Sequence, residues 1–78
     1  MNIKELTSKL NEMKILSGEY SLDGHLLADR IVLYHNYYKW EVFYLDERGV
    51  RHNQKEFSSE REACLYIYDL FKRRVNIW

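Results

Sequence analysis

An α+β domain is predicted, with a helix, a three-stranded antiparallel meander and a closing helix in the order α-β-β-β-α. Three observations predict it. Apolar residues recur at helical spacing over residues 3–16 and again beyond residue 60, β-branched and aromatic residues dominate between residues 30 and 56, and turn formers separate these stretches. A chain of 78 residues reads as a single domain, residues 1–78. It lies where folding hides only about 60% of the surface exposed by the unfolded chain.

The first helix is expected over residues 3–16. Ile3, Leu6, Leu10, Met13 and Leu16 form one stripe while Lys4, Glu5, Lys9 and Glu12 face water, Asn2 caps the start, Glu5 and Lys9 pair one turn apart, and Gly18 ends the helix. Residues 19–29 read as a connection anchored by Tyr20 and Leu22. Strands follow at 30–35, 39–45 and 50–56, joined by HNYY and by DERG, where Gly49 takes a positive φ. Ser59 with Glu62 forms a capping box, which opens a second helix over 60–73. Ala63, Cys64, Ile67, Leu70, Phe71 and Val75 form its stripe, and Lys72-Arg73-Arg74 suits its C-terminus.

The stretch LYHNYYKWEVFY, residues 33–44, holds six aromatic residues in twelve positions and raises the question of which way the rings face. Pairing Tyr34 with Trp40 and Leu45 with Val50 puts Ile31, Leu33, Phe43, Leu45 and Val50 on one face, aliphatic enough to be the core beneath the second helix. The opposite face then carries Val32, Tyr34, Trp40, Val42 and Tyr44, bordered by Arg30, Arg51 and Lys55. Tyr, Trp and Arg are enriched at binding hot spots, so the candidate partner-binding residues are Tyr34, Trp40, Val42, Tyr44, Arg51 and Lys55. Two arrangements are open: this face meets a partner, or the first helix covers it as a second core layer.

Twelve basic residues balance twelve acidic ones, so any affinity for a polyanion has to come from a local patch. His25, His35 and His52 lack metal-ligand spacing, no phosphate-binding or nucleophile-elbow motif occurs, and the acids at Asp46-Glu47 and Glu60-x-Glu62 read as a turn and a helix start. No metal, cofactor or catalysis is expected. The lone Cys64 reads as a small buried hydrophobe, and the first fifteen residues lack the apolar run of a signal or membrane span. A cytoplasmic protein without membrane contact is therefore expected.

WEVFYLDERG followed by FSSEREACLY, with YSLDG upstream, resembles small bacterial immunity proteins encoded beside secreted polymorphic toxins. The resemblance rests on Trp40, Glu47, Arg48, Gly49, Phe57, Glu62, Ala63 and Cys64, and covers most of the chain beyond the first helix. It implies that the protein binds a cognate bacterial toxin and blocks it by occlusion. In the family the strand before E-R-G is one residue shorter, and here Leu45 and Asp46 lengthen it. The alternative is a small nucleic-acid-binding module that presents its three-stranded sheet, similar to the arm-binding domains of tyrosine recombinases, with Arg30, Arg51 and Lys55 meeting phosphates beside Trp40 and Tyr44. The leucine stripe of the first helix is expected to dock either on its own sheet or, in a homodimer, on another chain.

Overall fold

A computed structural model describes residues 1–77, with side chains as far as Arg74. Helix α1 spans Ile3–Glu12, a 3-10 turn spans Ser17–Glu19, strands β1 to β4 span Tyr20–Ser21, Arg30–Asn36, Lys39–Leu45 and Arg51–Phe57, and helix α2 spans Glu60–Ile77. The sheet has four strands in the order β1-β2-β3-β4, with β1 parallel to β2 and the remaining pairs antiparallel. This corrects the expected three-stranded antiparallel meander. Tyr20 and Ser21 add a short parallel strand, and at two residues they have no room to display an alternation that sequence can report.

Local signals placed the helix starts. The Asn2 side chain accepts the Glu5 amide at 2.8 Å, and Ser59 Oγ accepts the Glu62 amide at 3.2 Å. The Glu60 carboxylate crosses from α2 to accept the Ile3 amide at 3.0 Å, so it satisfies a free donor of α1 and ties the two helix starts together.

The end of α1 differs from expectation. The helix stops at Glu12, and Lys14, not Gly18, takes the left-handed conformation, with φ 60°. The Ile15 amide donates to the Leu10 carbonyl at 2.9 Å and the Lys14 amide to that of Asn11 at 3.0 Å, the two bonds of a Schellman motif. Ile15 then packs against the core, while Leu16, expected on the stripe, is 74% exposed beyond the stop. Lys9 lies 3.9 Å from Glu12 in place of the expected pairing with Glu5.

Both helices cover the same side of the sheet. Leu6 and Leu10 of α1 are wholly buried with Ala63, Cys64, Ile67 and Phe71 of α2, and with Leu33 and Val42 of the sheet. Leu6 and Leu10 of the stripe thus dock inside their own chain. Tyr20 and Leu22 anchor as expected, with the Tyr20 ring edge-on to Phe71 at 6.3 Å. Val75, expected on the stripe of α2, lies outside the residues whose side chains are described.

The face assignment is corrected. Asn36 pairs with Lys39 across a turn of only Tyr37 and Tyr38, so His35, not Tyr34, stands opposite Trp40. Ile31, Leu33, Trp40, Val42 and Tyr44 consequently share the helix side, whereas Val32, Tyr34, Phe43 and Leu45 occupy the other. Val50, expected in the core, is exposed in the turn before β4.

The side without a helix is nevertheless closed. Val32, Phe43 and Leu45 form a second buried cluster with Tyr34 beside it. The Arg51 guanidinium lies 4.2 Å from the centre of the Phe43 ring and 5.7 Å from that of Tyr34, and donates at 3.1 Å to Glu41, which is only 5% exposed. One arginine covers a ring and neutralises a buried acid at once.

Replacing Arg51 by Ala is expected to cost about 3 kcal/mol, because Glu41 is left buried without its partner. Urea denaturation should show Glu41→Gln recovering part of that loss in the Arg51→Ala background. Lys14→Gly should instead raise stability by about 1 kcal/mol, since glycine relieves the left-handed strain at the end of α1. An unchanged unfolding midpoint would remove that account of the stop.

Candidate partner-binding cleft

Strand β4 is the edge of the sheet and is exposed from Arg51 to Glu56. Its pairing with β3 slips between Val42 and Tyr44, where Val42 faces Lys55 and Tyr44 faces His52, so Asn53 and Gln54 stand against the single residue Phe43. Such a bulge bends and twists its strand. Asn53 takes the left-handed conformation there, with φ 54°. The bulge and the polar side chains of β4 leave the sheet incompletely covered beneath α2.

The result is a cleft of about 320 Å³. Ile31 and Val42 floor it, Tyr66 and Leu70 of α2 wall it, and Tyr44, Asn53 and Lys55 stand at its rim. Its volume is at the lower end of ligand pockets, suited to one large apolar side chain. Tyr66 is held against Phe57, ring centres 5.2 Å apart, so it turns toward β4 and not beneath α1.

The cations of β3 and β4 are unevenly committed. Arg51 is bonded to Glu41 and Lys39 lies 3.8 Å from Glu56, while Lys55 makes no ion pair among the described residues. At the other end, the Tyr44 hydroxyl donates to Asp29 at 3.2 Å. Desolvation first, and then the Asp29 carboxylate, raise that hydroxyl above its ordinary pKa. A carboxylate entering the cleft is thus drawn toward Lys55 and away from Asp29.

The structure brings together three of the six sequence-predicted site residues. Val42, Tyr44 and Lys55 line the cleft. Trp40 stacks on His35 at 3.9 Å with the rings 5° apart, and its indole packs against the main core. Tyr34 and Arg51 stand on the opposite side of the sheet. The imagined platform of Trp40 and Tyr44 beside Arg51 therefore does not assemble. Leu70 and Asn53 were not expected at the site, while Tyr66, which lies off the main stripe of α2, was open to a second contact surface or to a place beneath α1.

The turn before β4 depends on Asp46. Its carboxylate accepts the amides of Arg48 and Val50, each at 2.9 Å, and meets His52 Nε2 at 2.8 Å, while Gly49 supplies φ 81°. Cys64 is wholly buried, and burial, followed by the charge of Glu60, pushes its thiol up to about 11. Among the described residues no group of three His, Cys, Asp or Glu could hold a metal ion, and no helix is long and apolar enough to cross a membrane.

The hydrogen bond from His52, and then that from the Val50 amide, hold the Asp46 carboxyl below the usual carboxylate range. A depressed folded-state value contributes stability above the ordinary carboxylate pKa, and that stability is lost as pH falls through the depressed one. Thermal unfolding followed from neutral to strongly acidic pH should therefore show a shallower loss in Asp46→Asn than in the parent chain. Parallel curves would show that the carboxylate contributes nothing by its charge. Comparison of the chain with protein-family models, with curated proteins and with solved structures finds no match.

Proposed function

We propose that this chain is a protein-binding inhibitor, an immunity protein that blocks a bacterial toxin in the producing cell by occupying it. The observation that carries this reading is the apolar cleft between α2 and the sheet, edged by Tyr44 and Lys55. Its floor and walls would receive an apolar anchor, and Lys55 would meet an acid beside that anchor. The resemblance of residues 40–66 to immunity proteins supplies the kind of partner. Inhibition by occlusion asks for no chemistry from this chain. It asks for about 800 Å² on this side, roughly a seventh of the 5483 Å² that the molecule exposes.

The test uses the purified product of the reading frame that adjoins this one. Saturable binding is expected in calorimetry, and co-expression should protect the host cell from that product. Lys55→Glu, at an exposed position, should weaken binding about tenfold while leaving the melting temperature unchanged. Equal binding by the parent chain and the variant would move the interface away from the cleft. A chain that bound labelled DNA or RNA with a steep salt dependence would overturn the inhibitor reading itself.

A further inference from the structure

We infer that the tip of the β2–β3 hairpin, Tyr37-Tyr38, is the element that enters the partner, two adjacent phenol rings seated in a concave, hydrogen-bond-accepting site of a toxin protein. The inference rests on the inhibitor reading and adds to it the part of the molecule that does the blocking.

A two-residue hairpin turn with positive φ at its first position alone favours glycine there, because a side chain in that conformation is strained. This turn has tyrosine at both positions. Tyr37 alone takes positive φ, 59°, and is 89% exposed, with Tyr38 79% exposed beside it. Among the described residues neither ring forms an aromatic pair or a hydrogen bond with the rest of the molecule. The fold thus bears strained backbone and two largely hydrated tyrosines at its tip and gains neither a ring pair nor a hydrogen bond from them. Breaks of a local rule without internal compensation concentrate at functional sites.

The stem below the tip is held firmly. His35 and Trp40 stack at 3.9 Å directly under the turn, Trp40 packs on the core, and Lys39 lies 3.8 Å from Glu56 of β4. The rings are therefore presented on a fixed support, which lowers the ordering cost of binding. Two tyrosines bury about 300 to 500 Å² between them, close to half of one side of a standard interface. Lys39 and Glu56 cancel each other, so the tip approaches as a near-neutral pair of hydroxyl donors. That chemistry fits a pocket lined by carbonyl or carboxylate acceptors better than it fits a phosphate backbone.

The test is the double substitution Tyr37→Gly/Tyr38→Asn, with Tyr37→Phe/Tyr38→Phe as its companion and the purified product of the adjoining reading frame as the probe. The Gly-Asn chain should melt at a higher temperature and bind at least 100-fold more weakly, whereas the double Phe chain, which keeps the rings and loses both hydroxyl donors, should bind with a strength between that chain and the parent. If the parent binds and the Gly-Asn chain binds as tightly, the tip is not the inserting element, although the inhibitor reading stands. If the parent does not bind at all, the reading fails and the tip assignment fails with it. A lower melting temperature for the Gly-Asn chain would remove the strain argument. Binding of a single-stranded oligonucleotide, or a dimer, lost specifically in that chain would reassign the rings to base stacking or to self-association.

Discussion

The pairing of Asn36 with Lys39 across the Tyr37-Tyr38 turn decides on which side of the sheet every side chain of β2 and β3 stands. Because the side-chain period of a strand is two, a turn longer by one residue would carry Val42 and Trp40 away from the helices and bring Phe43 and Leu45 beneath them. The observed pairing gives α2 a small aliphatic floor of Leu33 and Val42, against which Ala63, Cys64 and Ile67 approach closely. It also sends the larger Phe43 to the side without a helix, where Arg51 is long enough to lie over it. One short turn therefore sets both halves of the core.

The same constraint explains why the molecule has a cleft. With both helices on one side, α2 lies over β3 and β4, and the edge strand contributes only what its own sequence offers. That sequence is RHNQKEF, polar until Phe57, with a bulge at Asn53 that turns it from the line of its neighbour. Charge and irregularity blunt an exposed edge against pairing with other chains, and the uncovered apolar floor beside them is the consequence. The candidate site is thus a by-product of how the edge is protected, with Lys55 belonging to both.

Local grammar was legible in the residues and long-range register was not. Asn2 and Ser59 announced their helices because a cap is decided within four residues, and DERG announced its turn because Asp46 and Gly49 act on their own backbone. The third strand, residues 39–45, was placed to the residue. The faces were misread because Tyr37-Tyr38 lacks the Asn or Gly that marks a two-residue turn, so HNYY looked like a longer loop and the pairing slipped by one. The end of α1 was misread for the same reason, since Lys14 holds a left-handed position in place of the expected Gly18. Of the residues expected at a contact surface, Val42, Tyr44 and Lys55 lie together along the cleft, and the most exposed rings, Tyr37 and Tyr38, sit where the sequence suggested only a connection.

A cross-strand proton NMR experiment tests this account at its root. Contacts between Hα protons that follow the pairing of His35 with Trp40 and of Leu33 with Val42 are predicted, together with side-chain contacts from Val42 to Ile67 and none from Phe43 to α2. Contacts that follow a Tyr34–Trp40 pairing, with Phe43 against Ile67, would contradict it, because the helices would then cover the other face and the tip would no longer be a two-residue turn.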